Sequence, residues 1–171
     1  RMGLPATIVS GDRSASVGPV ADGLGIPARA GLTPSDKLAV LDAMAGAGSR
    51  VLMVGDGLND GPALAAAHVS IAPGSASDVS QQAADAVFIG EKLMPVAVAI
   101  DVARRTMRIV RENFVAAIVY NMLAVPLAIM GHVTPLVAAI AMSTSSLIVI
   151  ANSLRLAAPS RVGRQSKDAR A

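Results

Sequence analysis

Two kinds of hydrophobic pattern divide the chain near residue 92. Before that point, short apolar runs typical of strands alternate with helical patterns, and the runs are 5–10, 51–54, 68–72 and 86–89. Helices are predicted over residues 13–25 and 33–48. This alternation predicts an α/β fold with a mostly parallel sheet covered by helices.

The helix over 33–48 has the clearest start signal. Thr33 is in the position of an N-cap, Pro34 occupies the first helical position, and Asp36 completes a capping-box pattern. We therefore expect the segment after Thr33 to begin a helix at a defined residue.

Beyond residue 92 the chain becomes continuously apolar. A helical stretch over 93–112 grows basic, and it is followed by 17 uncharged residues over 114–130 and 19 over 135–153. Such helices would be roughly 26 to 29 Å long, close to the thickness of a bilayer core. The pattern predicts a linker helix over 93–112 and a transmembrane hairpin over 113–131 and 133–154. A buried hairpin in a soluble protein is the weaker alternative.

The distribution of charge favours the membrane interpretation. The chain has 15 Lys and Arg against 12 Asp and Glu, and nine of the basic residues flank the uncharged runs. These nine are Arg104, Arg105, Arg108, Arg111, Arg155, Arg161, Arg164, Lys167 and Arg170. Basic flanks mark the cytoplasmic side of a membrane, so we expect residues 1–111 and the tail 155–171 in the cytoplasm and no nucleic-acid partner.

Two carboxylates follow the apolar run 51–54. Asp56 is predicted at the carboxyl end of a strand, where open α/β sheets bind ligands, and Asp60 near the start of a short helix. Mg²⁺ is the usual cation for such oxygen ligands. A pair of capping aspartates in an ordinary loop, with Asn59 or Asp60 as the cap, fits the spacing equally well.

The apolar runs carry a few polar groups. Tyr120 and Asn121 lie in the first, and Met142 and Ser146 lie one turn apart on one face of the second. Packing between helices explains most of these groups when each is considered alone. The thioether of Met142 is also a soft ligand suited to Cu⁺. The absence of cysteine excludes disulfides and thiolate metal sites within these residues.

Taken together, these motifs resemble those of a known family. "SGD" (10–12), "PSDK" (34–37) and "GDGLNDGPAL" (55–64), followed by two membrane helices, are similar to the P-type cation-transporting ATPases, whose phosphorylation domain has the haloacid-dehalogenase fold. "YN" (120–121) and "MSTSS" (142–146) resemble the monovalent-copper branch of the heavy-metal class. The stretch 73–93 is similar to bacterial copper pumps linked to cytochrome oxidase assembly.

The resemblance implies a role for each matching residue. Asp56 would bind Mg²⁺ with the support of Asn59 and Asp60, and Lys37 would contact the phosphoryl group of the ATP-derived phosphoenzyme. Phosphate and nucleotide binding is implied for three consecutive residues, Ser10, Gly11 and Asp12. The transported ion, expected to be Cu⁺, would be bound by Tyr120, Asn121, Met142 and Ser146.

Other parts of the family pattern do not occur in these residues. The "DKTGT" motif that carries the nucleophilic aspartate is not found, nor are the nucleotide-binding domain, the actuator domain and six earlier membrane spans. We therefore expect a carboxyl-terminal piece of a pump, with a partial phosphorylation domain over 1–92, that is inactive alone. The full protein is expected in a bacterial inner membrane.

Two other classes of protein are alternatives to a P-type pump. A membrane-anchored phosphatase would need a D-x-D motif, and none of the ten aspartates has that spacing. A non-catalytic membrane partner and a pump for Zn²⁺ or another cation both stay open at this stage.

Overall fold

The computed structural model of the chain describes residues 2–56, 58–90 and 92–157. The chain forms two compact units, Arg1–Lys92 and Leu93–Ala171. The boundary agrees with the change of pattern near residue 92. The predicted basic tail lies largely outside the described residues.

The described residues of the first unit form five short strands in two parallel sheets, which confirms the predicted α/β class. The strands are β1 (Ile8–Val9), β2 (Ala28–Arg29), β3 (Leu52–Val54), β4 (Val69–Pro73) and β5 (Ala86–Phe88). One sheet pairs β1 with β2, and the other has the order β3-β4-β5. In the larger sheet Leu52 lies opposite Val69, and Ile71 lies opposite Ala86. The sequence pattern missed β2, because it is only two residues long and ends in a charged side chain.

Four helices accompany these strands: α1 (Ser14–Leu24), α2 (Pro34–Gly46), α3 (Gly61–Ala66) and α4 (Asp78–Ala83). The predicted start of α2 is confirmed. The Thr33 side chain accepts a hydrogen bond from the backbone N–H of Asp36, and the Asp36 carboxylate accepts one from the backbone N–H of Thr33 at 2.9 Å. The hydrogen bonds from the side chain and then the backbone of Thr33 lower the pKa of the Asp36 carboxyl. Helix α4 was not predicted, because a six-residue helix is too short to show a period.

One apolar cluster joins the helices to the sheet. Leu41 of α2, Met53 of β3, and Ala63 and Leu64 of α3 form its buried centre. Val9 of β1 packs against the same cluster. β1, β3 and α2 therefore pack against a common core. This packing holds the segments next to them in fixed positions.

The second unit contains two long helices, α5 (Met94–Ile129) and α6 (Pro135–Leu154), with a 3₁₀ turn at Arg155–Ala157 after α6. Both helices are long and apolar enough to cross a membrane, and their most apolar stretches are not buried within the structure. A hairpin buried in a soluble protein would hide those stretches, so the exposure disfavours that alternative.

The predicted boundary between a linker helix and the first membrane helix does not appear as a break. Residues 93–112 and 113–131 were expected as separate segments, but α5 is continuous over 36 residues, or about 54 Å. The reason is visible in the sequence. No Gly occurs in α5, and Pro is confined to its first turn and to Pro126 near its end.

Candidate functional site

The carboxyl end of β3 is the centre of the candidate phosphoryl site. Gly55 follows the strand directly, and a Cβ atom at that position would lie 3.0 Å from both the Cβ and the Oδ2 atom of Asp60. The chain thus folds back so that the Asp60 side chain lies against the Gly55 backbone. Glycine fits this close approach, because a larger residue would require the Asp60 side chain to shift by a few tenths of an ångström.

Asp60 is paired with a lysine from another element. The Nζ atom of Lys37, in the first turn of α2, lies 2.5 Å from Oδ1 of Asp60. Each of the two residues is 8% exposed. Burial of two charges is tolerated when they satisfy each other with good geometry, and it makes either one costly without its partner. The cation that holds the Asp60 carboxylate is therefore an ammonium group of the protein itself.

This ion pair corrects the interpretation of the two aspartates as helix caps. Asp60 occupies the N-cap position of α3, but its side chain makes no capping hydrogen bond there. Asn59 lies within the preceding 3₁₀ turn, Leu58–Asp60, and its side chain is exposed. Neither residue caps α3 through its side chain.

Asp56 differs from Asp60 in being exposed to solvent. Among the described residues, no three His, Cys, Asp or Glu side chains are grouped as a complete metal site. Mg²⁺ commonly takes one or two carboxylates and completes its shell with water and substrate phosphate. The Asp60 carboxylate is already neutralised by Lys37, whereas the Asp56 carboxylate is exposed. Asp56 is therefore the carboxylate available for such a donor set.

The Ser10–Asp12 loop follows β1 and is held close to the segment that precedes α2. Leu32 donates a backbone hydrogen bond to the carbonyl of Ser10 at 3.0 Å, and Gly31 donates one to that of Asp12 at 2.7 Å. A Cβ atom on Gly11 would lie 3.2 Å from the Leu32 carbonyl oxygen, so the backbones approach closely. The "SGD" motif is thereby tied to the start of the helix that carries Lys37.

The side chains of this loop bond to each other. The Ser10 hydroxyl donates to Oδ2 of Asp12 at 3.2 Å and accepts from the backbone N–H of Asp12 at 3.1 Å. Asp12 is exposed and Ser10 is half-buried. A small turn is thus formed whose polar atoms face solvent and are accessible to a ligand.

In the second unit, the four residues expected to bind the transported ion do not meet in one cavity. A cavity of about 290 Å³ lies between α5 and α6, and Tyr120 lines it opposite Thr144 and Ser145. Met142 is 67% exposed, and Ser146 is exposed as well. The two share a helix face as predicted, but that face does not line the cavity.

Asn121 is also outside the cavity. Its side-chain amide donates to the Ala117 carbonyl of its own helix at 2.9 Å, and the residue is exposed. Thr144 and Ser145 lie opposite Tyr120 instead. The sequence pattern assigned these two residues only to the "MSTSS" stretch and to packing. A signal for this was present, because Ala141, Ser145 and Ile148 fall at helical spacing and give α6 a face with small residues.

Comparisons with known proteins identify relatives of this chain. Residues 1–68 match the model of the haloacid dehalogenase-like hydrolases. The chain is 57% identical over 155 residues to the nitrogen fixation protein FixI of Rhizobium leguminosarum bv. viciae, covering 90% of this chain and 20% of the relative. It is 43% identical over 155 residues to a copper-exporting P-type ATPase of Mycobacterium leprae, covering 90% of this chain and 20% of that protein.

A solved structure matches most of the chain as well. The crystal structure of a zinc-transporting PIB-type ATPase superposes with a TM-score of 0.81 at 32% identity, covering 91% of this chain and 26% of that one. Over most of its length the chain is therefore similar to P-type cation-transporting ATPases. Its fold, a haloacid dehalogenase-like domain followed by two long apolar helices, matches the structure of a PIB-type ATPase. The chain spans about one fifth of the length of the curated relatives it matches.

Proposed function

We propose that this chain is the part of an ATP-driven membrane pump that holds Mg²⁺ and phosphate and contributes two helices to the path of Cu⁺ out of the cytoplasm. The observation that carries the proposal is the buried Lys37–Asp60 pair. Asp60 lies against Gly55, and the next residue, Asp56, has an exposed carboxylate. Phosphoryl transfer depends mostly on positioning and on charge neutralisation, and this arrangement supplies both.

Each residue of the phosphoryl site has a separate task in this proposal. Asp56 is the carboxylate that binds Mg²⁺, which when bound neutralises charge on the phosphate oxygens. Lys37 supplies a positive charge that Asp60 orients, so that the ammonium is preorganised at the site. The Ser10 hydroxyl and the Gly11 and Asp12 backbone give hydrogen-bonding groups for phosphate and nucleotide.

The nucleophile of the pump is an aspartate in a "DKTGT" motif, and these 171 residues do not contain one. The proposed activity therefore belongs to a longer protein that combines this chain with that motif. Purified residues 1–171 should show no ATP hydrolysis above background, and measurable turnover would reveal a nucleophile other than the proposed one.

Copper is favoured over zinc by the chemistry of the two helices. The uncharged runs 114–130 and 135–153 contain no carboxylate, whereas they offer the thioether of Met142 and the oxygens of Tyr120, Asn121 and Ser146. Thioethers favour Cu⁺, and Zn²⁺ favours carboxylate, imidazole or thiolate ligands. A named relative exports copper and a similar structure transports zinc, so stimulation of the full-length pump by each metal decides the matter.

The membrane orientation follows from the basic residues. Four arginines lie in α5 before the uncharged run, whereas the turn between the helices, residues 131–134, has no Lys or Arg. We place the first unit and the end of α6 in the cytoplasm of a bacterial cell and the turn outside. A cysteine introduced at His132 should react with an impermeant thiol reagent in intact cells, and labelling only after permeabilisation would reverse the orientation.

The decisive experiment changes Asp56 in the full-length protein. Asp56→Asn should abolish phosphoenzyme formation from ATP without changing membrane insertion, because the amide binds Mg²⁺ poorly. Asp42→Asn is the matched control, since Asp42 is exposed on α2 away from the strand end. Normal phosphoenzyme levels in Asp56→Asn would overturn the assignment of the Mg²⁺ site.

A further inference from the structure

The middle of α5 is joined to the carboxyl end of α6 by a group of polar side chains. The Asn152 amide donates to Oδ1 of Asn113 at 2.8 Å and to Oε2 of Glu112 at 3.3 Å. Arg155 donates to the Asn152 side-chain carbonyl oxygen at 2.7 Å and to Oε2 of Glu112 at 2.9 Å. We call Glu112, Asn113, Asn152 and Arg155 the polar clasp.

The polar clasp constrains the alignment of the two helices, whereas the hydrogen bonds within a single helix do not. Asn113 also donates to the Ser153 hydroxyl at 3.2 Å, so Asn113 uses both donor and acceptor atoms across the helix pair, whereas Asn152 donates across it and accepts from Arg155 of its own segment. Farther along, the side chains of Asn121, Ser143 and Ser146 bond to carbonyls of their own helices. Small apolar surfaces can slide past each other, but paired amides match in one alignment only.

The alignment that the clasp imposes reaches the proposed ion site. The two helices run antiparallel, and Asn113 is bonded to Asn152. Seven residues along α5 from Asn113 is Tyr120, and seven residues back along α6 from Asn152 is Ser145. Seven residues are two turns, or about 10 Å, so these two residues should lie at the same depth. Both line the cavity between the helices, in agreement with that register.

We propose that the polar clasp fixes the register of α5 against α6 and thereby sets the depth at which the residues of the ion path face each other. The inference rests on the proposed function for its consequence, but the register itself is a property of the helix pair. A slip of one turn would shift Tyr120 by about 5 Å relative to Ser145 and to the neighbouring Met142 and Ser146. The clasp residues are positioning residues, since they act through this alignment.

Register can be measured by cysteine cross-linking, because these residues contain no cysteine of their own. In a full-length protein whose cysteines outside these residues have been replaced, the pair Ala116→Cys and Val149→Cys reports the aligned register, and the pair Ala116→Cys and Ser145→Cys reports a slip of one turn. Iodine oxidation should cross-link the first pair far more than the second. Adding Asn152→Leu should reverse or equalise the two yields, whereas Ser143→Ala, which removes a hydrogen bond within α6 alone, should leave them unchanged.

A charge exchange protects the test against misfolding of a single variant. Glu112→Arg should disturb the register, and Glu112→Arg combined with Arg155→Glu should restore much of it, because the ion pair is re-formed in the opposite sense. Unchanged cross-linking in both Asn152→Leu and Glu112→Arg would overturn the clasp as the determinant of register. Disturbed cross-linking without rescue by the exchange would also overturn it, since the ion pair would then have no part in alignment.

The consequence for transport has its own readout. Asn152→Leu should raise the Cu⁺ concentration for half-maximal phosphorylation about tenfold, with little change in the phosphorylation level at saturating metal. A shifted register with unaltered metal dependence would refute the positioning role. Failure of the parent protein to respond to any metal would instead refute the proposed function, and the cross-linking result would stand independently.

Discussion

The two units of this protein hold their polar groups in opposite ways. In the first unit, Lys37 and Asp60 are buried and paired, and the segments that carry them are anchored in a single apolar core. In the second unit, Met142, Ser146 and Asn121 lie on exposed faces of two helices whose apolar stretches are not buried. The first unit thus has much of its candidate phosphoryl site preformed, whereas the helix pair presents groups that require neighbours to form a site.

The difference indicates that a phosphoryl site and an ion path depend to different degrees on side chains that the protein holds in place in advance. A phosphoryl site gains from charges fixed before the substrate arrives, and burial in a small core achieves this. An ion path through a membrane is assembled between several helices, so two helices alone supply only part of its wall.

The largest effect is expected from separating the buried pair. Lys37→Met removes the ammonium partner of the buried Asp60 carboxylate, which should lower the free energy of unfolding of the first unit by about 3 to 5 kcal/mol. Phosphoenzyme formation should be lost as well. Lys37→Met combined with Asp60→Leu should recover much of the stability but none of the phosphorylation, as measured by thermal unfolding and by ATP labelling. Recovery of both would show that the pair is structural only.

A smaller loss is expected from filling the space beside Gly55. Gly55→Ala places a methyl group 3.0 Å from Asp60 atoms and should destabilise the first unit by about 1 to 3 kcal/mol. Gly46→Ala is the control, because no atom lies within 4 Å of the added Cβ and the residue is helical. Equal unfolding temperatures for the two variants would contradict the close approach of Asp60 to the strand end.

In the second unit, truncation of a proposed ligand that is exposed should change metal response and not folding. Met142→Ala should raise the Cu⁺ concentration for half-maximal phosphorylation about tenfold, equivalent to about 1.4 kcal/mol. Met122→Ala is matched, since Met122 is 71% exposed on α5. A similar response of both variants to copper would make Met142 a packing or lipid-facing residue.

The smallest effect concerns the capping box of α2. The pKa of Asp36 is lowered by its hydrogen bonds with Thr33, so its contribution to stability is present above the ordinary value of 3.8 and is lost as pH falls through the lowered value. The stability difference between the parent protein and Asp36→Ala should therefore be constant near neutral pH and shrink in acid. Unfolding curves at several pH values measure it, and a difference independent of pH would argue against the ionised cap.

Local features of both units were predictable from the sequence, and the site was predictable only in part. The Thr33 cap and the strand over 51–54 depend on neighbouring residues and were found where the pattern placed them, and the two uncharged runs lie almost entirely within α5 and α6. The motifs around Lys37 and Asp56 also indicated the P-type ATPases, to which named relatives belong. The two-residue strand β2 and the short helix α4 were missed, because a period needs more residues than they contain.

What the sequence determined by itself is therefore the set of elements and the chemical groups that each one carries. The tertiary structure decided that Asp60 binds Lys37 and does not cap α3, because residues 23 positions apart meet only when α2 packs on α3. It also decided that Tyr120 faces Ser145 while Met142 faces away from the cavity. Helical periodicity gives the residues that share a face, but the packing of the second helix determines which face is covered.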